Sequence, residues 1–258
     1  MTAGYGAKAR PVETVQRAIA VLHVLAESSV DLGNNEIASR TGINGSTVSR
    51  LLSTLASDGL VSRVEGTGYF RLGPRLVELG NAALARVDIR ELCRPHLEAL
   101  TAATGETSTL SVPYREGTIT VDFVQSPSSV RSVAELGRPS IPHATATGKV
   151  FLAFSDADAP SVLPPYTSNT ITDPTTLQEQ IADIRRRGWA QVTGEREIEL
   201  NAIACPVFSA GRLTAIVGIQ GPGQRFGLKA MRRAAAELRD HCLALSTESS
   251  GSPVATKG

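Results

Sequence analysis

The sequence predicts an α+β protein of two domains with a helix between them. Residues 12–72 carry short helical patterns with tight connections, followed by two strand patterns around a glycine-rich turn. Residues 88–247 alternate strand and helix patterns, and their strands come in hairpin pairs. Residues 73–87 form one amphipathic pattern between the two blocks, which predicts a linker helix. The remaining segments, 1–11 and 248–258, are small and polar and are predicted to be disordered tails.

The composition narrows the class of protein. The chain has 258 residues, of which 41% are hydrophobic, so a core of ordinary size is expected. Its formal net charge of +1 gives no strong overall field toward nucleic acid or membranes, so any such partner must be met by a local surface. We find no apolar run long enough for a membrane span and no signal peptide, and three scattered cysteines fit a reducing compartment. The expected location is therefore the cytoplasm.

The first block begins with an amphipathic helix in VETVQRAIAVLHVLAE. Its apolar residues follow the spacing of one helix face: Val15, Ala18, Ile19, Leu22 and Leu25. A short second helix follows, which Asn34 or Asn35 can cap and which Gly42 ends. The third helix starts at Asn44 or Ser46 and stops at Gly59. After it, the strand patterns LVSRV and YFRLG flank the turn EGTG.

The third helix, in GINGSTVSRLLSTLASDGLV, has two different ends. Its apolar residues anchor it to its own domain: Val48, Leu51, Leu52 and Leu55. Its N-terminal end is small, polar and free of any packing role. Three helices and a hairpin in this order are typical of a winged helix-turn-helix, in which the N-terminal end of the third helix enters the DNA major groove. The predicted DNA-binding residues are Asn44, Gly45, Ser46, Thr47, Ser49, Arg50 and, on the hairpin, Arg63.

These residue types suit a DNA groove. Serine and threonine hydroxyls can bind phosphates or base edges, and Arg50 can contact guanine or a phosphate. Gly45 lets the backbone approach closely, and the free N–H groups of a helix start favour a phosphate. For Arg63, a phosphate contact and a simply solvated charge remain equally open. Residues 1–80 hold eight basic and seven acidic side chains, so one copy has little bulk charge for DNA. We therefore expect a homodimer or a larger homo-oligomer.

The second block predicts a sheet with helices outside it. TSTLSVPY and GTITVDFVQ form one hairpin, and NAIACPVFS and LTAIVGIQG form another around Gly211. RSVAEL reads as a further strand. Helices are predicted to begin near Ala146 and after Asp173, and a last amphipathic helix closes the domain. The free N–H groups at the Ala146 helix start suit a carboxylate, so a ligand pocket is expected there.

Catalytic chemistry is poorly supported. Cys205 lies in an apolar strand, where an inert buried thiol is favoured over a nucleophile. Glu195, Glu197 and Glu199 alternate along the chain and are interpreted as a solvated edge rather than an acid–base pair. Neither TATGK nor GPGQRFG fits a nucleotide-binding loop. The histidines lack the spacing of metal ligands, so we expect no metal, no cofactor and no enzyme: they are His23, His96, His143 and His241.

The chain resembles the IclR family of bacterial transcription regulators from about Val12 to Ser246. VQRAIAVLHVLAE, NEIASRTGINGSTVSRLLSTLASDGLV and GYFRLGPRLVELG carry the resemblance in the first block. LTAATGETSTLSV, IPHATATGKVFLAF and GWAQVTGEREIELNAIACPVF carry it in the second. The resemblance implies an N-terminal winged helix, a linker helix and a C-terminal effector-binding domain of GAF-like α/β fold. It also implies dimers, or dimers of dimers, on operator DNA.

The resemblance also implies where an effector binds. Family members that sense small keto acids use helix-start amides with Asp, Cys and Ser side chains. Here the side chains at those positions are mostly apolar, and each unpaired ligand oxygen costs about 1–3 kcal/mol. We therefore predict a larger, more apolar effector, such as an aromatic acid. The predicted effector-binding residues are Ala146, Thr147, Gly148, Val192, Ala202, Gly218 and Gln220, with Phe123 and Leu136 as further walls.

The leading hypothesis is a ligand-responsive regulator that binds double-stranded operator DNA and a small organic acid. The alternative is a small-molecule hydrolase that uses Cys205, with the winged helix as an oligomerisation module. A third hypothesis is an architectural DNA-binding protein without a ligand.

Overall fold

A computed structural model of the chain describes residues 12–84 and 88–251. The chain forms two compact units, Met1–Arg86 and Val87–Gly258. The predicted N-terminal tail, residues 1–11, lies outside the described residues. In the described ranges, no helix has both the length and the apolar character that a membrane span requires.

The first unit is a winged helix-turn-helix, as predicted. A three-stranded antiparallel sheet of order β1-β3-β2 accompanies its helices. The elements are α1 (Glu13–Glu27), β1 (Leu32–Gly33), α2 (Asn34–Thr41), α3 (Gly45–Ser57), β2 (Val61–Arg63), β3 (Tyr69–Leu72) and α4 (Arg75–Leu84). The two-residue strand β1 was not predicted, because it is too short to show an alternating pattern. It pairs Leu32 with Phe70 and Gly33 with Tyr69.

The core of the first unit corrects part of the prediction for α1. The buried residues of this helix are Val21 and Leu25, which pack with Leu32, Ile37 and residues of α3. Val15 and Ile19 belong to a second apolar stripe, and their exposed fractions are 54% and 46%. The helix therefore has two apolar faces, and the i, i+3, i+4 spacing alone mixes them.

The second unit is a five-stranded antiparallel sheet of order β5-β4-β8-β7-β6. Helices α5 and α8 pack on one face, and α6 and α7 pack on the other. The elements are α5 (Asp88–Thr104), β4 (Thr107–Tyr114), β5 (Gly117–Val124), α6 (Ala146–Phe154), α7 (Pro174–Arg187), β6 (Ala190–Thr193), β7 (Leu200–Ser209), β8 (Arg212–Pro222) and α8 (Leu228–Gly251). The predicted hairpins are therefore β4–β5 and β7–β8.

The turn between β7 and β8 sets the register of the central strands. Ala210 and Gly211 both have positive φ, at 48° and 75°, as a two-residue hairpin turn of type I′ requires. The strands then pair continuously except for one irregularity at Val207 and Phe208. This pairing places residues 202 and 204 of β7 beside residues 220 and 218 of β8.

Two predictions for the second unit were wrong. RSVAEL is not a strand; residues 131–136 form an irregular segment that follows β5. The C-terminal tail was predicted to begin at residue 248, but α8 continues to Gly251. Ser249 explains the extension, because its hydroxyl donates to the Phe208 carbonyl at 3.1 Å and its own carbonyl accepts from Ser209 Oγ at 3.0 Å. These bonds fix the last helical turn to the end of β7. Residues 252–258 lie outside the described part of the chain.

Candidate nucleic-acid interface and ligand cavity

The start of α3 is fixed by an asparagine cap. Asn44 Oδ1 accepts from the Ser46 backbone N at 2.9 Å and from Ser46 Oγ at 2.8 Å. The cap satisfies one of the free backbone donors of the helix start. Ser46, Ser49 and Arg50 are exposed, and Thr47 is half-buried. The predicted polar end of the helix is therefore open to solvent within its own unit.

A second asparagine connects α2 to α3. Asn34 Nδ2 donates to the Gly45 carbonyl at 3.2 Å, while its Oδ1 is buried without a partner. Asn34 is the first residue of α2 rather than its cap, which is Gly33. Gly42 ends α2 in the left-handed conformation at φ 68°, which a side chain disfavours. Together these residues set the tight turn between the two helices.

Two arginines of the first unit have no acidic partner in the described ranges. Neither Arg50 nor Arg63 lies within ion-pair distance of a carboxylate there, and both side chains are exposed. By contrast, Arg71 pairs with Asp31 at 2.7 Å and Arg75 pairs with Glu78. An arginine without an internal partner is free to bind phosphate or guanine.

The second unit contains a cavity between the start of α6 and the sheet. Its volume is about 90 Å³. All five strands of the sheet and the irregular segment after β5 contribute to its wall. Six of the predicted effector residues line it: Ala146, Thr147, Val192, Ala202, Gly218 and Gln220. The structure therefore brings these six positions together at one site.

Gly148, Phe123 and Leu136 were also predicted to line this pocket, but they are not among its lining residues. The Gly148 N–H is already used, since it donates to Thr145 Oγ1 at 3.1 Å. A β-carbon at Gly148 would lie 2.6 Å from Pro142 Cα, so this glycine permits close packing instead. Leu136 is 47% exposed, and the Phe123 carbonyl accepts a hydrogen bond from Arg94 on α5.

The start of α6 offers two free backbone donors to the cavity. Thr145 caps the helix: its hydroxyl donates to the Ile141 carbonyl and accepts from Gly148 N. Among the described residues, the backbone N–H groups of Ala146 and Thr147 donate no hydrogen bond. Free donors at a helix start favour an anion.

The cavity is more polar than the residues at the predicted positions imply. Val192 and Ala202 are apolar, but hydroxyl groups come from other elements. Seven serine and threonine residues line the cavity: Thr109, Ser111, Thr120, Ser132, Ser140, Thr145 and Thr147. No residue of β4 was predicted to bind the ligand, although the Ser/Thr alternation of TSTLSV in β4 was visible in the sequence.

Charged residues also line the cavity, and none of them was predicted to lie at this site. Arg138 Nη2 lies 3.3 Å from Glu197 Oε1, whereas Arg196 Nε lies 3.9 Å from the same oxygen. Arg196 and Glu135 line the cavity too. Burial and the neighbouring Arg138 lower the pKa of the Arg196 guanidinium. Arg196 is thus a half-buried cation with one weak partner, and a bound anion would stabilise it.

A buried ion pair lies behind the cavity helix. Lys149 Nζ lies 2.6 Å from both oxygens of Glu195 and donates to Gln180 Oε1 at 2.8 Å. The interpretation of Glu195 as a solvated residue was wrong, because this side chain is only 7% exposed. Burial lowers the pKa of Lys149 and raises the pKa of Glu195. The pair connects α6 to the segment that carries Arg196.

The cysteines lack the surroundings of a nucleophile. Cys205 is buried, and its thiol donates to the Gly188 carbonyl at 3.4 Å. Cys242 is buried beside it, and burial raises the pKa of Cys93 to about 12. A thiol nucleophile needs a depressed pKa and an adjacent base, so this arrangement gives no support to the hydrolase alternative.

Comparisons with known proteins identify both domains. Residues 14–65 match the model of the IclR helix-turn-helix domain, and residues 81–247 match that of the bacterial transcriptional regulator IclR C-terminal domain. The glycerol operon regulatory protein of Streptomyces griseus is 32% identical over 84% of this chain and 87% of its own length. The HTH-type transcriptional regulator BhcR of Paracoccus denitrificans is 32% identical over 83% of this chain and 79% of its own length.

Solved structures agree as well. An IclR transcriptional regulator from Silicibacter sp. TM1040 superposes with a TM-score of 0.79 at 29% identity, covering 93% of this chain and 98% of that one. The regulator from Alicyclobacillus acidocaldarius gives a TM-score of 0.80 at 26% identity, covering 93% and 100%. With both domain models matched in order, the chain belongs to the IclR family: it is a DNA-binding transcriptional regulator and not an enzyme.

Proposed function

We propose that the start of α3 binds the operator in the major groove and that the β2–β3 hairpin binds the adjacent backbone. The support is the exposed polar first turn of α3 and the two arginines without acidic partners. In this proposal Arg50 contacts base edges and Arg63 contacts a phosphate. The other contact residues are Asn44, Gly45, Ser46, Thr47 and Ser49.

The cavity of the second unit is proposed to bind the effector, a small organic acid. Its carboxylate faces the free N–H groups of Ala146 and Thr147, with Arg196 supplying positive charge in the same cavity. Val192, Ala202, Gly218 and Gln220 form the walls around the rest of the ligand. The observation that carries this proposal is the coincidence of two free helix-start donors with a poorly paired, half-buried arginine.

The protein is proposed to act as a homo-oligomer, either a dimer or a dimer of dimers. An apolar stripe at the start of α1 supports this proposal: Val15 and Ile19 of the helix and its N-cap residue Val12 are exposed. Val77 and Leu79 of α4 are also exposed in the same unit. Apolar side chains in such numbers on one small unit mark an association surface. Two copies would also double the phosphate contacts of a nearly neutral unit.

The effector is proposed to regulate binding by preferring one quaternary arrangement, which shifts operator affinity. Repression is the proposed mode, because the relative named transcriptional repressor IclR in Escherichia coli is 29% identical over 83% of this chain and 81% of its own length. The regulator would work in the cytoplasm, where its DNA target lies.

DNA selection, anisotropy and a thermal-shift screen together test the DNA-binding and effector-binding parts of the proposal. The wild-type protein selects binding sequences from a random double-stranded DNA library, and fluorescence anisotropy measures the affinity for the enriched sequence. Adding acids from a thermal-shift screen is expected to change that affinity. The DNA proposal is refuted if no sequence is enriched, and the effector proposal is refuted if no acid stabilises the protein.

A further inference from the structure

Two buried hydroxyl groups on β4 face the cavity without partners. Thr109 and Ser111 line the cavity, and their residues are only 6% and 2% exposed. Neither hydroxyl has a hydrogen-bond partner among the described residues, although most of the neighbouring hydroxyls do. Among the described residues, two side-chain polar atoms are completely inaccessible to solvent and have no hydrogen-bond partner: Asn34 Oδ1 and Thr118 Oγ1. The hydroxyl groups of Thr109 and Ser111 are not among them. The two hydroxyl groups are therefore buried within the fold and open to the cavity.

The position of Thr109 depends on a glycine in the next strand. Thr109 of β4 pairs with Gly218 of β8. A β-carbon at residue 218 would lie 2.8 Å from Thr109 Oγ1, which is too close for any ordinary side chain. The missing side chain at 218 thus leaves the space that the Thr109 hydroxyl occupies. A polar group absent from β8 is supplied by the neighbouring strand.

Unpaired buried hydroxyls favour a ligand with matching groups. A buried polar group without a partner costs free energy, and a ligand hydroxyl or carbonyl that pairs with it recovers that cost. A site built to bind a ligand hydroxyl also rejects analogues that lack one. By the same argument, a purely hydrocarbon ligand leaves both β4 hydroxyls unpaired.

The volume of the cavity favours a small ligand. Its volume is about 90 Å³. An engineered cavity that accepts benzene measures about 150 Å³, which is larger than this cavity. A chain of three or four carbons with oxygen substituents fits this volume better than an aromatic ring.

We propose that the effector is a short hydroxylated aliphatic acid, and that Thr109 and Ser111 bind its hydroxyl groups. This inference rests on the proposed effector site and replaces the aromatic acid expected from the sequence. In it, the carboxylate occupies the α6 end of the cavity while the hydroxyl groups face β4. Ser132 Oγ and Gln220 Nε2, 2.7 Å apart, hold another polar part of the wall in place.

The test compares acids that differ only in hydroxyl groups. Propanoate, lactate and glycerate have three carbons and zero, one and two hydroxyl groups, and benzoate represents the aromatic class. Isothermal titration calorimetry of the full chain is expected to rank glycerate above lactate above propanoate. The affinities for glycerate and propanoate should differ by about tenfold or more, because each unpaired buried group costs more free energy than a typical hydrogen bond contributes. Thr109→Val and Ser111→Ala should reduce the affinity for glycerate toward that for propanoate. They should leave the affinity for propanoate unchanged or raise it slightly, because propanoate leaves both hydroxyls unpaired.

Thr118→Val is the matched control, because Thr118 is equally buried on β5 and unpaired but does not line the cavity. It should alter no affinity in the series. Binding of benzoate with a flat response to hydroxyl number would overturn this inference and leave the proposed acid site standing. If no acid of either class binds, the effector site itself is refuted. Equal losses for glycerate and propanoate in Thr109→Val would show that the hydroxyl of Thr109 reads no ligand hydroxyl.

Discussion

Lys149 and Glu195 form a buried ion pair across the back of the cavity helix, with Lys149 Nζ 2.6 Å from each carboxylate oxygen. Lys149 is fully buried and lies in the second turn of α6, directly behind the two free donors. Glu195 immediately precedes Arg196, the weakly paired cation of the cavity. One ion pair therefore holds both the helix start and the charged wall in position.

Removing one partner of this pair is expected to be far more damaging than removing both. Lys149→Met should lower the free energy of unfolding by about 3–5 kcal/mol, because Glu195 is left buried without compensation. The double variant Lys149→Met/Glu195→Leu should recover most of the loss. Trp189, the single tryptophan, lies in the second unit, so its fluorescence in a urea titration reports on that unit. A double variant no more stable than Lys149→Met would contradict the explanation.

Acid is expected to destabilise the second unit through His241. Its Nδ1 lies 2.8 Å from Nδ1 of His96, and burial, followed by His96, lowers the pKa of His241 below its ordinary value of 6.5. Nearby Glu237 and Asp240 oppose this shift only in part. The unfolded chain therefore binds a proton more readily than the folded one, so stability falls as the pH drops below about 6.5 toward the folded pKa.

The measurement is urea unfolding at pH 7.5 and pH 5.5, followed by Trp189 fluorescence. His241→Asn keeps a polar partner for His96 and removes the titration, so this variant should lose less stability than the wild type over that interval. Equal losses in both proteins would assign the acid sensitivity to other groups.

Arg50 and Arg63 are expected to differ in how they affect DNA binding. Arg50→Ala should weaken binding to the selected operator by about 1–3 kcal/mol and relax the preference at one base position. Arg63→Ala should weaken binding to all DNA sequences by about the same factor. It should also reduce the slope of log affinity against log salt concentration by about one for each bound copy. Anisotropy titrations at several salt concentrations separate the two effects. Arg232→Ala, an exposed change on α8, is the control and should do neither.

Arg196 is expected to contribute to acid binding through its charge. Arg196→Gln should lower the affinity for the acid that the thermal-shift screen identifies by about tenfold or more, since hydrogen bonds to charged groups contribute about 1.5–3 kcal/mol. The affinity for the uncharged amide of the same acid should fall much less in this variant. Arg212→Gln, at the exposed β7–β8 turn, is the control for calorimetry. If acid and amide weaken equally, Arg196 acts through packing and not through charge.

The exposed stripe of α1 is expected to control association. Ile19→Glu places a charge in this stripe and should lower the mass observed by light scattering after size exclusion. Val162→Glu changes an equally apolar residue of the second unit, which is 74% exposed, and should leave the mass unchanged. A dimer that survives Ile19→Glu at micromolar concentration would move the association surface elsewhere.

The fold was largely predictable because its signals are local. Asn44, Gly42 and Gly188 mark helix ends through their own backbone preferences, and Ala210-Gly211 marks a hairpin through positive φ. Of the two turn residues, Gly211 is the sequence signal, and the positive φ of Ala210 is a finding of the structure. The signals of Asn44 and the glycines need no knowledge of distant residues. The winged helix and both hairpins of the second unit follow from them.

The cavity was only partly predictable because its chemistry depends on tertiary neighbours. Positions such as Val192 and Ala202 could be placed at the site, but not the hydroxyls that compensate for them. Glu195 looked solvated because Lys149 stands 46 positions away in the sequence. Arg196 looked like one charge among several, and only the fold shows that it is half-buried with a weak partner.

The hydroxyl of Thr109 occupies the space beside Gly218 on the neighbouring strand, and this arrangement bears on how ligand specificity can change in this fold. Paired residues on adjacent strands line the same part of the cavity. A polar side chain on either strand can therefore place its functional group at nearly the same point. Two regulators could then recognise the same small molecule with no matching side chain at any aligned position. For this chain, a serine introduced at residue 218 would place its β-carbon against the hydroxyl of Thr109 and would obstruct the site.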